Sequence, residues 1–227
     1  MQSVLITGAG GVYAQALAQV FKEAGITTIG VSRSEKLNPD LFDYDVHADL
    51  SRDLSVEEVN RVLKAADLEV SGLVANAGNR GPSDHLVNLP TGEISSLINV
   101  HCNSAVRALH ACAGVLAKPF KFIAVSSRFS SFAMHEQGEF RGYRPLYSYS
   151  IAKAALNMLC MRLRAEFSPE EAEIYLVHPG KLLTGISATD AADDPLESAR
   201  RLLHYVGEYD GNRVQLYDLM KEKVIGW

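Results

Sequence analysis

At 227 residues, 47% of them hydrophobic and 22% charged, the chain can bury one large α/β core without disulfide staples, and a single domain over 1–227 is the expectation. A net charge of −5 and the lack of any basic stripe argue against a nucleic-acid partner. No apolar run is long enough to span a membrane, and the opening MQSVLITGAGG has no basic leader or cleavage signature, so no membrane partner is expected and the place of action reads as cytoplasmic.

In chain order, SVLITG is a buried strand, and YAQALAQVFKEAG is a helix with Ala16, Leu17, Val20 and Phe21 on one face and Gly25 as its stop. ITTIGVSR, rich in β-branched residues, is a second strand and FDYDVHADL a third. SVEEVNRVLKAAD is a helix with Ser55 as N-cap, and VSGLVANAG is the fourth strand. Glu93 to Leu116 is helical with an internal break. FKFIAVSS is the fifth strand, residues 148–165 a long helix, AEIYLVHPG the sixth strand, PLESARRLLHYV a helix and NRVQLYDL a seventh strand. This alternation predicts an α/β fold: a doubly wound parallel sheet of Rossmann type between two helical layers. Residues 128–147 and 182–194 break the rhythm, and long loops in such folds tend to carry function. Cys102, Cys112 and Cys160 match no metal-ligand spacing, and two of them fall in apolar helical patterns, as buried thiols in a reducing compartment do.

Two features carry chemistry. Gly8, Gly10 and Gly11 lie between the first strand and its helix, where glycine lets backbone N–H groups approach a pyrophosphate at the positive helix end. Tyr149 and Lys153, spaced i and i+4 on the long helix, share a face. A nearby ammonium stabilises a phenolate, so the pair suits general acid/base work on a carbonyl or alcohol. The same spacing recurs at Tyr217 and Lys221, but that pair lies in a terminal strand-like segment and is taken as structural.

With these motifs the chain resembles the short-chain dehydrogenase/reductase family over essentially its whole length. The glycine loop after Thr7, ADL at 48–50, ANAG at 75–78, INV at 98–100, VSS at 125–127, YSYSIAK and HPGKLLT at 178–184 follow in the family's order. The stretch around YSYSIAKAALNM and the closing YDL and VIGW look most like the C-factor-like branch. The resemblance implies an oxidoreductase that interconverts a carbonyl compound and its alcohol by hydride transfer. Tyr149 would be the acid/base. Lys153 would lower its pKa and hold the nicotinamide ribose, and Ser127 would hydrogen-bond the substrate oxygen. Asn99 would anchor a water that relays protons to Lys153. Gly8, Gly10, Gly11, Val12 and Tyr13 would meet the pyrophosphate. Asp49 would accept from the adenine amino group, Leu50 would be a further cofactor-binding residue, and Asn76, Ala77 and Gly78 would line the adenosine pocket. Pro179, Gly180, Leu182 and Thr184 would orient the carboxamide.

The chain departs from the family pattern in two places. Val12 and Ala14 stand where the family loop carries glycine, which implies a loop one residue tighter. An insertion containing HEQGEFRGYRP lengthens the gap from serine to tyrosine, so Ser126 and Ser130 are alternatives to Ser127, which is preferred as the second serine of the strand-end pair. After the second strand, Ser32 and Arg33 stand where an NAD-preferring site carries an acidic residue, so NADP(H) is favoured, with NAD(H) possible. The expected substrate is a small or medium carbonyl compound, with Phe129, Phe132, Met134, Phe140 and Tyr143 of the insertion as one wall. The rival readings are a dinucleotide-binding regulator without turnover and an epimerase or dehydratase with tightly held NAD. Val106, Leu109, Leu156, Leu159 and Met161 give two helices apolar residues on more than one face, and with the family's habit of pairing these helices they imply a homodimer or homotetramer.

Overall fold

The structure, a computed structural model, describes residues 1–33, 37–81, 85–183 and 191–227. Runs of apolar, β-branched residues form the central strands β1 (Ser3–Thr7), β2 (Thr27–Ser32), β4 (Val70–Ala75), β5 (Leu116–Val125) and β6 (Ala172–His178). With β3 (Tyr44–His47), β7 (Leu216–Asp218) and β8 (Lys223–Ile225) they make one sheet of order β3-β2-β1-β4-β5-β6-β7-β8. All pairings are parallel except β7 with β8.

Register explains why these strands are buried on both faces. Ile29, Leu5, Leu73, Phe122 and Ile174 pair in one row across the sheet, and all five belong to one apolar cluster. One residue further along, Ile6, Val74, Ile123 and Tyr175 form the next row, and these belong to the cluster on the opposite face. A strand exposes successive side chains to opposite faces, so each face needs its own cover. The first face is covered by Val59 and Leu63 of α2 (Ser55–Ala65), Ala105 and Ala108 of α4 (Ser104–Cys112), and Leu156, Cys160 and Leu163 of α6 (Tyr147–Glu166). The second is covered by Ala14, Leu17 and Phe21 of α1 (Val12–Glu23) and by Ala199, Leu202 and Val206 of α7 (Pro195–Glu208). The result is the doubly wound, three-layer fold that the alternation predicts.

Several boundaries differ from expectation. Ser55 is not the N-cap of α2. The preceding Leu54 is already helical at φ −56 and ψ −24, and the Ser55 hydroxyl donates to the Arg52 carbonyl at 2.7 Å instead of accepting from the helix. The helical region predicted to reach Leu116 ends at Cys112, and β5 begins at Leu116. Its internal break is a π-helical turn over Asn99–Asn103, between α3 (Glu93–Ile98) and α4. Strand β8 has no counterpart in the sequence reading, because three residues of mixed polarity carry no periodic signal. In the insertion, a short 3-10 turn (Arg128–Ser130) and α5 (Phe132–Glu136) replace an open loop. Of the helix residues expected to face a second subunit, Leu156 is fully buried in the core, because it points at the sheet.

Candidate active site

The site forms where the sheet order reverses, at the C-terminal ends of β1 and β4. There the Thr7 hydroxyl accepts the backbone N–H groups of Asn76 and Ala77 at 3.0 and 2.9 Å, and the Asn76 amide donates to the Thr7 carbonyl. Gly8 turns away at φ +67, and a Cβ in its place would lie 2.8 Å from the Ala77 Cα. Glycine is thus required by both conformation and space. Gly10 and Gly11 are exposed, and no side chain caps the start of α1, which leaves its positive end facing the crevice. Val12 is exposed at the first turn, so its side chain meets no steric conflict. The Tyr13 ring is buried and its hydroxyl accepts from Ser198 at 3.1 Å; burial pushes the phenol well above its ordinary value, keeping it neutral.

At the other end of the crevice, Arg33 is exposed and the Ser32 side chain is buried. Burial alone would raise Asp49, but hydrogen bonds from the Ser51 N–H and hydroxyl and the charges of Arg33 and Arg52 hold it below the usual carboxylate range. Arg52 is a second cation here that motif reading missed. The Leu50 side chain is buried in the core cluster, and its carbonyl accepts from Arg107 at 3.1 Å.

Tyr149 and Lys153 line a cleft of about 270 Å³, with Ser127 on the opposing strand end and Pro179, Gly180 and Leu182 along one side. Thr184 lies outside the described residues. Tyr149 hydrogen-bonds Ser127 and is edge-on to His101 and Phe129. Lys153 Nζ sits 5.8 Å from the centre of the Tyr149 ring and donates to the Val125 carbonyl at 2.6 Å. The three candidate serines separate cleanly. Ser126 donates to Asn157 Oδ1 at 2.6 Å, Asn157 Nδ2 donates to Ser130, and Ser130 donates to the Ser127 carbonyl, closing a buried network. Only the Ser127 hydroxyl is turned to Tyr149.

One expected effect differs in the structure. The Tyr149 phenol is not lowered by Lys153. Burial raises it, against smaller lowering effects from the Ser127 hydrogen bond and the charge of Arg80. Lys153 is itself pushed down from 10.5 to about 7 by burial, which weakens the positive field it can offer. The side-chain amide of Asn99 is engaged away from the cleft, which leaves its expected anchoring of a water an expectation. Nδ2 donates to the Ser51 carbonyl at 2.9 Å and Oδ1 accepts from Arg107 at 2.8 Å, so the side chain ties the π-helical turn to the loop carrying Asp49.

Motif reading also missed part of the lining. His101 is buried, donates from Nε2 to the Asn79 carbonyl at 2.7 Å, and packs so closely on Gly78 that a Cβ there would overlap its ring. Burial, then the Lys153 charge, lowers its pKa to about 3. Arg80, Arg128, Lys181 and His178 line the same cleft. Arg80 lies two residues after ANAG and Arg128 directly after VSS, whereas His178 and Lys181 stand inside HPGKLLT without having been assigned a role. The second tyrosine–lysine pair is structural as expected. Tyr217 lies in β7, where four residues do not make a helical turn, and stacks on Tyr205 at 4.3 Å.

Among the described residues no group of His, Cys, Asp and Glu is placed to hold a metal, and no helix is long and apolar enough to cross a membrane. Cys112 and Cys160 are buried free thiols and Cys102 is half-buried.

The model of the short chain dehydrogenase family matches residues 2–195. The chain belongs to the short-chain dehydrogenase family. A curated relative, the C-signal of Myxococcus xanthus, is 27% identical over 139 residues, which span 60% of this chain and 80% of that protein. Among solved structures, a carbonyl reductase from Pseudomonas aeruginosa matches with a TM-score of 0.83 and 24% identity over the whole of both chains. An NADPH-bound carbonyl reductase from chicken fatty liver matches with a TM-score of 0.87 and 18% identity, covering 100% of this chain and 99% of that one. At these identities the structural likeness speaks for the fold.

The buried Lys153 amine gives a prediction about stability. The folded amine titrates near 7 and the unfolded one near 10.5, so below pH 7 the full cost of burying its charge is present. Between those values the folded protein sheds the proton while the unfolded chain keeps it, and stability rises with pH. Lys153→Met is expected to raise the melting temperature, by more at about pH 6 than at about pH 9. Thermal unfolding of both proteins at the two pH values checks this; a gain that grows with pH would contradict it.

Proposed function

We propose that this chain is an NADP(H)-dependent reductase of small or medium carbonyl compounds that also runs in the alcohol-oxidising direction, and that it acts in the cytoplasm. The observation that carries the reading is the Ser127 hydroxyl joined to Tyr149 inside a cleft where Lys153 lies one helical turn away. Family membership supports it, as do the carbonyl reductases among the structural neighbours, one of them NADPH-bound.

The crevice fits a dinucleotide. A Cβ at Gly8 would fill the space against Ala77, and the uncapped start of α1 offers N–H donors to a pyrophosphate. Arg33 and Arg52 flank the adenosine end, where a 2′-phosphate would find two guanidinium groups. When bound, the reduced dinucleotide supplies the hydride that adds to the carbonyl carbon. Ser127 donates to the carbonyl oxygen and stabilises the charge that develops there. Tyr149 is kept protonated by burial and gives its phenolic proton to that oxygen, becoming phenolate. Lys153, a turn away, stabilises the phenolate when charged and holds the nicotinamide ribose. Asn99 and Arg107 keep the loop with Asp49 in place.

The exposed side chains of Tyr147, Ile151, Met158 and Met161 along α6 form an apolar surface that we assign to a homodimer. Light scattering at micromolar concentration is expected to give a dimer and, for Met158→Glu, a monomer; a monomeric wild type would contradict the assignment.

Turnover is the direct test of the site. With NADPH and a panel of aldehydes and ketones, Tyr149→Phe is expected to lose activity by about 10²–10⁴-fold while retaining cofactor affinity. Ser127→Ala should lose about 10²–10³-fold. Ser126→Ala should lose stability rather than chemistry, because its hydroxyl serves Asn157, and Tyr217→Phe should stay near wild type. Substantial activity in Tyr149→Phe would remove the assignment.

Cofactor choice is tested separately. An acidic residue at position 32 would have to be buried, so the informative changes are Arg33→Ala and Arg52→Ala. Wild type should bind NADP(H) more tightly than NAD(H), and the preference should fall about tenfold in the double variant, since only the 2′-phosphate forms charge-assisted bonds there. Added salt should weaken NADP(H) more than NAD(H). Dissociation constants for both cofactors at two ionic strengths decide it; equal affinities in wild type would make both arginines ordinary surface residues.

A further inference from the structure

Among the described residues three buried side-chain polar atoms have no hydrogen-bond partner: His101 Nδ1, His178 Nδ1 and Ser148 Oγ. Both histidines line the catalytic cleft, and Ser148 directly precedes Tyr149. Unmet buried polar atoms destabilise a fold, so their gathering around one site asks for an explanation other than packing. Of the three, His101 is the one in direct contact with the Tyr149 ring.

His101 stands in the middle of the π-helical turn Asn99–Asn103, with 3% of its surface exposed. Such turns insert a residue into a helix and are frequent at functional sites. Nε2 lies 2.7 Å from the Asn79 carbonyl, which can only accept, so Nε2 carries the proton. Burial and the Lys153 charge keep the ring neutral, and Nδ1 is then a bare lone pair. The ring meets Tyr149 edge-on, 5.5 Å between centres at an interplanar angle of 80°. It also occupies the space beside Gly78, where a Cβ would overlap Cε1 and Nδ1. An aliphatic side chain of similar size would fill this region without leaving a polar atom unpaired. What the imidazole adds is a donor to the Asn79 carbonyl, carried on a flat ring that fits beside Gly78 and Tyr149. These contacts join three separate pieces of chain: the turn after β4, whose Gly78 and Asn79 line the cleft, the π-helical turn, and the start of α6, which carries the phenol.

Resting on the reductase reading above, we propose that His101 is a positioning residue, whose ring and Nε2–H tie the Gly78–Asn79 turn to the Tyr149 ring and so hold bound dinucleotide and phenol in register. The phenol must meet the same substrate oxygen as Ser127, and a misplacement of about 1 Å lowers a rate by about 10²-fold. The unpaired Nδ1 is what this arrangement leaves behind: stability is given up for a fixed geometry.

Two variants separate positioning from packing. His101→Leu removes the donor and the ring together with the unpaired Nδ1, so its melting temperature should equal or exceed that of wild type. At saturating NADPH its kcat on the aldehyde and ketone panel should fall about tenfold or more, with KM for the carbonyl compound nearly unchanged. NADPH titrated without substrate should bind it about fivefold more weakly, since the turn is no longer preorganised. His101→Gln has an amide that can donate to the Asn79 carbonyl. It should recover most of the NADPH affinity but only part of kcat, because it lacks the ring edge on Tyr149. Wild-type kcat and NADPH affinity in His101→Leu overturn the proposal and leave the reductase reading intact. A melting temperature well below wild type in His101→Leu also overturns it, because the histidine would then be serving the fold. Weakened NADPH binding in His101→Leu, restored in His101→Gln, with a wild type that reduces no carbonyl overturns the reductase reading alone.

Discussion

The geometry of this protein depends on the divergence of the chain between β1 and β4. Building outward from β1 through β2 to β3, and then from β4 through β5 to β7, sends the crossovers in opposite directions. Right-handed crossover connections then place α1 on one face and α2 and α4 on the other. The two strand ends at the reversal lack a shared helix above them, and a crevice results. The Thr7 hydroxyl closes its floor by accepting two N–H groups from the end of β4. Above that floor only glycine fits at position 8, and the exposed glycines after it leave the start of α1 open.

A second constraint is the burial of Lys153. Its amine lies under α6 against the end of β5, with 4% of its surface exposed and one backbone carbonyl as acceptor. A buried ammonium is costly, and its lowered pKa measures that cost. The same burial keeps the Tyr149 phenol protonated. Burial therefore holds the proton on the phenol and weakens it on the neighbouring amine.

The layers and the Tyr149–Lys153 pair were legible in the sequence because they rest on local periodicity. Leu5 and Ile6 declare a two-faced strand, and Tyr149 and Lys153 declare a shared helix face at four-residue spacing. Ser127 is preferred as the second serine of the strand-end pair, on the family resemblance, but its separation from Ser126 and Ser130 depends on Asn157, far along the chain. The orientation of Asn99 was not readable. Its amide partners, Ser51 and Arg107, are fixed by how the π-helical turn meets the loop after β3, and no spacing encodes that. Arg80 and Arg128 belong to none of the sequence motifs, and folding brings them from the ends of β4 and β5 to one cleft.

The precision of the cleft comes from contacts made outside it. Ser127 is held through its carbonyl, which takes the Ser130 hydroxyl, and Ser130 is fixed in turn by Asn157 of α6. Arg128 is held by rings of the insertion. The insertion is anchored by hydrogen bonds from the Ser131 hydroxyl to the Gly226 carbonyl and from the Ala133 N–H to the Trp227 carbonyl. These acceptors follow β8, whose antiparallel pairing with β7 extends the sheet by a last strand. The three-residue strand absent from the sequence reading thus supports the wall that carries Arg128. One core cluster takes in Ile225 of β8 and Met134 of α5 together with Leu156, Cys160 and Leu163 of α6, and Asn157 of α6 donates to Ser130, so the insertion, the sheet edge and the helix that carries Tyr149 and Lys153 are held by one core.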